Sequence, residues 1–300
     1  MKAAVVTKYG SPEGLKVIET EKPTPRPNEI LVNIHATTVT FGDAALRRMK
    51  LPVRFVFGLF MGGLGKNKIL GHEFAGEVEA VGSDVTMFKS GDQVFGSAGM
   101  RGGTHAEYIS LPEDAMVAIK PSNMTFEESA AVPIGGHTAL YILKPVKIHS
   151  GQKVLVYGAS GSVGSYALQL AKYWGAEVTG VCSTSNLDWV KDLGADNVID
   201  YTTEDFTQNG ETYDVIFDAV HKISSKQCKG SLKENGVFLS VYSSTKEDVE
   251  NLVFLREIIE AGKLKAVIDR RFPLEQIVEA HRYVDTGRKK GNVVITIDYD

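Results

Sequence analysis

The sequence predicts an α/β protein made of a small β-barrel and a doubly wound parallel sheet. Up to residue 111, short strands alternate with turn residues, and this spacing indicates a small barrel. From residue 153 onward, short apolar strands alternate with helical patterns. Such βα repetition implies a parallel sheet with right-handed crossovers.

The individual elements follow from apolar periodicity. In the first part, Val32, Ile34 and Ala36 alternate with polar residues, which indicates a strand over 30–40. In the second part, strands are expected at 153–157, 177–182, 197–199, 214–219 and 237–241. Thr125 is the expected N-cap of the first helix after the barrel. The chain then has an extended segment at 263–268, a helix face and a last strand at 292–297 that we expect to rejoin the barrel.

A glycine-rich turn follows the strand at 153–157. It reads Gly158, Ala159, Ser160, Gly161, Ser162, Val163 and Gly164, and helical spacing begins at its end. A strand, a glycine turn and a helix form a dinucleotide loop, because glycines let the backbone approach a pyrophosphate and the helix N-terminus supplies N–H donors. The alternative is an ordinary tight turn, since Ala159 replaces the first glycine of the G-x-G-x-x-G pattern.

The tip of the next strand predicts the choice of dinucleotide. NAD-specific sites usually place a carboxylate here, against the ribose 2′-hydroxyl. This tip carries Ser183 and Ser185 and has no carboxylate before Asp188. Small hydroxyl groups can bond to a 2′-phosphate that a carboxylate would repel, so the sequence favours NADPH over NADH. The tip has no Arg or Lys to balance the phosphate charge.

The composition excludes several classes of protein. The 300 residues are 43% hydrophobic and 23% charged, and a net charge of −4 gives no nucleic-acid footprint. The sequence has neither a bilayer-spanning apolar stretch nor a signal-peptide pattern at its start. The two cysteines, Cys182 and Cys228, exclude a four-cysteine zinc site. We therefore expect a cytoplasmic protein without a membrane span or nucleic-acid partner.

One segment of the first part has an unusual composition. Residues 51–64 carry Phe55, Phe57, Phe60 and Met61 among glycines. Two interpretations are open: a loop packed on the core, or an apolar lid over a substrate pocket.

Six short motifs resemble the medium-chain dehydrogenase/reductase superfamily in their order and spacing. They begin at Leu70 (LGHEFAG), Gly91 (GDQVFG), Gly103 (GTHAEY), Gly158 (GASGSVG), Leu193 (LGADNVIDY) and Gly287 (GRKKGNVV). Within that superfamily, the chain is similar to the zinc-independent quinone oxidoreductase-like branch. The resemblance implies a GroES-like catalytic domain over 1–122 and 264–300, and a Rossmann NAD(P)-binding domain over 123–263.

The resemblance also bears on zinc. Zinc-dependent relatives hold the catalytic metal through two cysteines and the histidine of the Gly-His-Glu motif. The matching positions here are Thr40, His72 and Ile134. One imidazole does not make a three-ligand catalytic site, so we expect no metal. We expect His72 to be a hydrogen-bonded structural histidine.

The activity that the resemblance implies is NADPH-dependent reduction of a quinone or an α,β-unsaturated carbonyl. Such acceptors carry their own electron sink beside the carbon that receives hydride, so they need no Lewis acid. The protein must stabilise the oxyanion that develops. Thr40 and Asp43 are the candidate catalytic residues and Arg47 is a further candidate, while capping a helix is the alternative role of Asp43. Residues 41–54 contain no tyrosine to match the proton donor of some enoyl reductases.

The resemblance also assigns the cofactor site. The turn at 158–164 is expected to contact the pyrophosphate. Three residues are expected at the adenosine phosphate, namely Ser183, Ser185 and Tyr201. Three more are expected at the nicotinamide end, namely Thr138, Ser240 and Tyr242. Arg288 or Lys290 could supply the missing cation, and a plain surface charge is the alternative.

Two other functions are open at this point. An enoyl-thioester reductase would need a basic patch for a phosphorylated carrier, and no such cluster is evident in the sequence. A non-catalytic NADPH-binding sensor or structural protein would bind the cofactor without reducing any activated acceptor.

Assembly is predicted from a short connection. Residues 243–248 lead almost directly from the strand at 237–241 into the next helix. We therefore expect the sixth strand, through which relatives usually pair subunits, to be shortened or absent. The protein is then expected to be a monomer or a non-standard dimer.

Overall fold

The computed structural model describes residues 1–50 and 67–297, and the chain divides into two compact units. The barrel unit comprises Met1–Ile134, Glu247–Glu260 and Ile268–Asp300, and the parallel-sheet unit comprises Gly135–Lys246 and Ala261–Val267. The predicted division differs, since it places 123–134 and 247–260 in the nucleotide-binding domain. Ser122 N donates to Glu260 (3.0 Å) and Asn123 Nδ2 donates to the Ile259 carbonyl (2.9 Å), so the residues just before 124 are bonded to the end of 247–260. The predicted domain boundaries stay a prediction.

The strands are β1 (Lys2–Val6), β2 (Leu15–Glu19), β3 (Glu29–Thr38), β4 (Lys68–Ile69), β5 (Glu73–Val81), β6 (Gln93–Ser97), β7 (Tyr108–Pro112), β8 (Val117–Ile119), β9 (Lys153–Tyr157), β10 (Glu177–Cys182), β11 (Asn197–Asp200), β12 (Tyr213–Asp218), β13 (Leu232–Ser240), β14 (Ile268–Pro273) and β15 (Asn292–Thr296). The helices of the described residues are α1 (Phe41–Arg48), α2 (Phe126–Ala130), α3 (Pro133–Leu143), α4 (Ser162–Tyr173), α5 (Leu187–Asp192), α6 (Ser225–Cys228), α7 (Val249–Glu260) and α8 (Ile277–Asp285).

The barrel unit is built around β3. The larger sheet has the order β14-β15-β3-β5-β6-β8, and β7 also pairs with β3, while a smaller sheet has the order β2-β1-β4. The apolar side chains that alternate along β3, Ile30, Val32 and Ile34, are fully buried in the barrel core. β15 runs antiparallel to β3, with Val294 opposite Thr38. The prediction that the last strand rejoins the barrel is therefore confirmed.

The parallel-sheet unit contains one five-stranded sheet with the order β11-β10-β9-β12-β13, and every pairing in it is parallel. The predicted strands are present, although β13 begins at Leu232, earlier than expected. β13 is the edge strand, and in the wholly described stretch 135–246 no strand follows it. The predicted shortening or loss of a sixth strand is confirmed.

The predicted helix signals agree with the structure in part. Thr125 caps α2 and forms a reciprocal capping box with Glu128, as its position predicts. On α8, the expected face is buried through Ile277, His281 and Val284. Of the extended segment predicted at 263–268, only Ile268 belongs to a strand, since β14 begins there.

Two predictions remain, one on residues 51–64 and one on membrane-spanning helices. The loop or lid predicted at 51–64 lies outside the described residues. Within 1–50 and 67–297, none of the helices has the length and apolar character needed to cross a membrane.

Candidate functional site

The glycine-rich turn connects β9 to α4 in the parallel-sheet unit. The backbone N–H groups of Gly158 and Ala159 both donate to the Val181 carbonyl (3.0 Å each), which ties the turn to β10. Gly158 has φ +82°, and a Cβ there would stand 2.5 Å from Val220 Cγ1. Only glycine fits this conformation and this approach without strain.

The end of the turn is equally dependent on glycine. A Cβ on Gly164 would lie 2.1 Å from the Gly158 carbonyl oxygen, so the helix can approach the turn only without a side chain. Gly161 is the N-cap of α4 and provides no side-chain cap. The first N–H groups of α4, at Ser162 and Val163, are therefore left for a ligand. This arrangement fits a pyrophosphate, which takes N–H donors at a helix N-terminus.

Asn186 joins the turn to the tip of β10. Its Nδ2 donates to Ser160 Oγ and to Ser183 Oγ (3.1 Å each), and its Oδ1 accepts from Trp189 Nε1 (3.2 Å). Asn186 thus links Ser160 and Ser183, which are two of the predicted cofactor residues. No role was predicted for Asn186, because a single amide in a loop carries no pattern. Its place directly after the β10 tip is the signal that was available.

A carboxylate lies beside the predicted adenosine end. Asp200, the last residue of β11, accepts from Thr184 Oγ1 (2.5 Å) and Thr202 Oγ1 (2.7 Å). The hydrogen bond from Thr184 is the main reason that the pKa of Asp200 lies below its usual value. The neighbouring Tyr201 is 53% exposed, and Ser185 is also exposed. The predicted tip therefore has exposed hydroxyls as expected, and also an ionised carboxylate that the sequence analysis did not place there.

The predicted nicotinamide residues lie on three elements of the same unit. Thr138 is half-buried on α3, one turn after Gly135, whose Cβ would meet Ser162 Oγ at 2.3 Å. Ser240 ends β13, and its Oγ accepts from Tyr242 N (3.4 Å). Tyr242 is 68% exposed and meets His221 edge-on, with ring centroids 4.2 Å apart. His221, which follows β12 with φ +53°, is a further residue that the sequence analysis missed.

Arg288 does not share a unit with the other predicted cofactor residues. It is exposed in the barrel unit after α8, and its backbone N donates to Thr286 Oγ1 (3.3 Å). Its proposed role as a cation for the cofactor stays a prediction.

A buried polar cluster in the barrel unit is centred on Asp43. The carboxylate is fully buried. Its Oδ2 accepts from Thr40 N (2.8 Å) and Thr40 Oγ1 (2.6 Å), and its Oδ1 accepts from Gly71 N (3.0 Å) and His72 Nδ1 (2.6 Å). Thr40 is the N-cap of α1 and forms a reciprocal capping box with Asp43. Both oxygens of Asp43 therefore already accept hydrogen bonds from groups of the barrel unit.

His72 is the partly exposed member of this cluster, with 13% of its side chain accessible. The hydrogen bond predicted for it is present, through Nδ1. Burial acts to lower the pKa of His72, but the charge of Asp43 and the hydrogen bond to it outweigh burial, and the pKa lies above the usual value. The Asp43 carboxylate stays ionised, because the neighbouring His72 holds its pKa well below its usual range in spite of burial.

Glu73, the first residue of β5, is buried beside this cluster. Its Oε1 accepts from Thr38 Oγ1 (2.5 Å) and its Oε2 accepts from Ile134 N (2.7 Å), and the residue is 1% exposed. Burial raises the pKa of Glu73 to about 7, although both of these donors work in the opposite direction.

The buried Glu73 predicts a pH-dependent stability. The folded state keeps the proton up to about pH 7, so the stabilisation is fully present below the unfolded pKa and is lost as pH rises through 7. The shift corresponds to about 3 kcal/mol. In Glu73→Gln, the amide can still form hydrogen bonds with Thr38 and Ile134. The decrease in the free energy of unfolding with rising pH that is due to Glu73 should then vanish. Urea unfolding between pH 5 and pH 8 measures it, with Glu77→Gln on the same strand as the control. Equal slopes in Glu73→Gln and wild type would contradict the prediction.

Arg47 lies one turn after Asp43 on α1 and is fully buried. Its Nη2 pairs with Asp285 (2.5 Å), its Nε donates to His281 Nδ1 (3.3 Å), and its Nη1 donates to the Gly10 carbonyl. The suggestion that Arg47 contacts the acceptor is therefore wrong, because all its donor groups hold interior partners. Burial lowers the pKa of His281 to about 3, so its ring stays neutral.

The residues at the three zinc-ligand positions do not fit a catalytic zinc ion. The Thr40 hydroxyl is committed to Asp43, and the position of Ile134 offers an apolar side chain. Only His72 remains as a good ligand, and a catalytic zinc needs three from the protein. Across residues 1–50 and 67–297, no group of three His, Cys, Asp or Glu side chains is arranged to hold a metal ion.

Comparisons with known proteins place the chain among dehydrogenases and reductases, and the zinc in two of the family descriptions is not matched by the ligand positions described above. Residues 26–121 match the family model described as "Alcohol dehydrogenase GroES-like domain", and residues 162–264 and 242–295 match two models described as "Zinc-binding dehydrogenase". The chain is 34% identical to the 2-methylene-furan-3-one reductase of Solanum lycopersicum, over 98% of this chain and 79% of that one. It is 31% identical, with the same coverage, to the chloroplastic NADPH-dependent alkenal/one oxidoreductase of Arabidopsis thaliana.

Two solved structures are similar over nearly the whole chain. The quinone oxidoreductase of Coxiella burnetii matches with a TM-score of 0.85 and 27% identity, over 99% of both chains. An NAD-dependent alcohol dehydrogenase matches with a TM-score of 0.88 and 28% identity, over 99% of this chain and 100% of the other. The protein therefore belongs to the medium-chain dehydrogenase/reductase superfamily and is quinone oxidoreductase-like. The predicted GroES-like and Rossmann folds are confirmed for the barrel unit and the parallel-sheet unit respectively.

Proposed function

We propose that this protein is an NADPH-dependent reductase of quinones or α,β-unsaturated carbonyls that needs no catalytic zinc. The observation that carries the proposal is the Asp43 cluster, which retains one imidazole where a catalytic zinc needs three ligands. A catalytic metal ion polarises a simple carbonyl as a Lewis acid, whereas a quinone or an enone carries its own electron sink and is reduced without that help. The names of the tomato reductase and the Coxiella quinone oxidoreductase support the same acceptor class.

The parallel-sheet unit supplies the cofactor site in this proposal. The bound nicotinamide supplies the hydride. The first N–H groups of α4 receive the pyrophosphate, and Gly158, Gly161 and Gly164 let it approach the backbone. Ser183, Ser185 and Tyr201 serve the adenosine end, and Thr138, Ser240 and Tyr242 serve the nicotinamide end. In the barrel unit, Thr40 and the Asp43–His72 pair are the groups offered to the acceptor.

NADPH is proposed as the cofactor because no carboxylate occupies the β10 tip and because an Arabidopsis relative is named as NADPH-dependent. Asp200 is the observation that favours NADH, since its ionised carboxylate on the neighbouring strand would repel a 2′-phosphate that came close. The two cofactors are therefore compared directly in the experiment.

The test follows consumption of the reduced cofactor by its absorbance. The acceptors are p-benzoquinone, methyl vinyl ketone, crotonyl-CoA and acetone, each with NADPH and with NADH, and each with and without EDTA. We expect EDTA-insensitive turnover of the quinone or the enone, with a higher kcat/KM for NADPH. Acetone reduction that EDTA abolishes would overturn the zinc-independent assignment. Preference for crotonyl-CoA would favour the enoyl-thioester reductase, and NADPH binding without any turnover would favour the sensor.

Assembly and location belong to the same proposal. The edge position of β13, with no following strand in residues 135–246, supports a monomer or a non-standard dimer. Light scattering of the purified protein tests this. The cytoplasmic location predicted from the composition stays a prediction, and cell fractionation tests it.

A further inference from the structure

The Asp43–His72 pair has the geometry of an acid held ready for proton transfer. Nδ1 of His72 is fixed on the buried carboxylate at 2.6 Å. Nε2 bonds to no described residue and is not one of the buried atoms left without a partner, and the side chain is 13% exposed. One ring nitrogen is thus anchored in the interior while the other is open. A histidine oriented by a buried carboxylate in this way presents a single proton to a reactant.

The carboxylate is itself rigidly held. The three donors other than His72 are the N–H and hydroxyl groups of Thr40 and the N–H group of Gly71. The backbone of Gly71 is closely packed, because a Cβ there would stand 2.3 Å from Thr104 Oγ1. The orientation of the His72 ring is therefore fixed by the fold. A histidine with only a packing role would not require a charged partner that accepts four hydrogen bonds.

The charges around His72 come from four elements. Asp43 on α1 favours the protonated ring and Lys68 on β4 disfavours it, while Glu73 on β5 adds a favourable charge only once it ionises near pH 7. His105, in the segment before β7, has its pKa lowered by burial and donates Nε2–H to the Thr38 carbonyl, so it stays neutral. The net effect is a pKa of His72 above its ordinary value. The ring therefore carries its acidic proton over more of the neutral pH range than a free histidine does.

We propose that His72, positioned by Asp43, is the general acid that protonates the oxyanion of the reduced acceptor. This inference rests on the proposed function and supplies a proton donor, since residues 41–54 contain no tyrosine to match that of some enoyl reductases. The position that zinc-dependent relatives use as a metal ligand would then serve in proton transfer, because its two companion positions, Thr40 and Ile134, cannot complete a metal site.

The proton balance is complete. Once hydride has reached the β-carbon of an enone, the electron pair of the C=C bond moves toward the carbonyl and negative charge develops on its oxygen. The Nε2–H bond of His72 breaks as the O–H bond of the enol forms, which leaves a neutral imidazole. The enol becomes the ketone in water, and the imidazole takes its next proton from solvent. With a quinone, the same proton goes to the hydroquinone oxyanion.

The decisive variant is His72→Gln, compared with wild type by kcat/KM for methyl vinyl ketone and NADPH across pH. Wild-type kcat/KM should fall as pH rises through the pKa of His72, because the acid is lost. His72→Gln should be about 100-fold slower or more at low pH, and the ratio of the two should shrink as pH rises. A merely structural role would leave that ratio constant with pH, and such a result would overturn the proposal.

A second variant tests the positioning by Asp43. Asp43→Asn keeps the size of the side chain and removes its charge, so the fall in kcat/KM should move to lower pH while the acid itself remains. An unmoved pH profile would overturn the role of Asp43. The control is His35→Gln, a half-buried barrel histidine stacked on Phe126 (4.3 Å between centroids) that should keep the wild-type profile. Thermal unfolding of each variant checks that the fold is intact.

The possible failures are distinguishable. A wild-type protein that reduces no enone or quinone overturns the proposed function and the acid together. Wild-type turnover with an unchanged His72→Gln profile overturns the acid alone. Wild-type turnover that EDTA abolishes and added zinc restores would make His72 a metal ligand and overturn both. If His72→Gln does not fold, the displacement of the profile in Asp43→Asn decides the question.

Discussion

Replacement of Arg47 by methionine should lower the free energy of unfolding by about 3–5 kcal/mol. The guanidinium is fully buried, and its removal leaves Asp285, His281 and the Gly10 carbonyl without their shared donor. Breaking one side of a buried ion pair is far more destabilising than the pair itself is stabilising, because the remaining charge stays poorly solvated. Urea unfolding followed by circular dichroism measures the change.

Arg48 provides the matched control. It is the next residue on α1, its side chain is 43% exposed, and it reaches the same Asp285 only at 3.7 Å. Exposed ion pairs contribute little, so Arg48→Met should change the free energy of unfolding by less than about 1 kcal/mol. Equal effects of the two substitutions would mean that Asp285 and His281 find other partners when Arg47 is absent.

The sequence was sufficient for the features that depend on local patterns. The strands of the parallel sheet could be predicted because apolar residues alternate with helical stretches over many residues. The turn at 158–164 could be predicted because its glycines are close together in the chain. The shortened edge after β13 could be predicted because the connection at 243–248 is shorter than the stretch that relatives usually have there.

The interactions that could not be predicted join distant parts of the chain. Arg47 is separated from His281 by 234 positions and from Asp285 by 238. The resemblance made it a candidate contact of the acceptor, and only the packing of α1 against α8 shows that it is buried. The assignment of α7 to the nucleotide-binding domain stays a prediction for the same reason, since an amphipathic face does not specify which sheet covers it. Asn186 and His221 were missed because a single polar residue in a loop has no periodicity.

Substitution of Gly161 by alanine should weaken NADPH binding at least about tenfold, equivalent to 1.4 kcal/mol. A Cβ at Gly161 meets nothing nearer than the Gly158 carbonyl oxygen at 3.5 Å, so the protein without cofactor accepts it. The methyl group would nevertheless stand at the N-terminus of α4, where the pyrophosphate must approach the backbone N–H groups. Calorimetric titration with NADPH measures the loss of affinity, and thermal unfolding should show a small change.

Two other glycines separate an effect on binding from an effect on folding. Gly164→Ala places a Cβ 2.1 Å from the Gly158 carbonyl oxygen, so it should destabilise the fold itself by about 1–3 kcal/mol. Gly230→Ala has nothing within 4 Å of its Cβ and should change neither affinity nor stability. Loss of affinity in Gly161→Ala with wild-type stability would support a pyrophosphate at this helix end. Unchanged affinity would mean that the dinucleotide binds elsewhere, and the cofactor roles proposed for residues 158–164 would fail together.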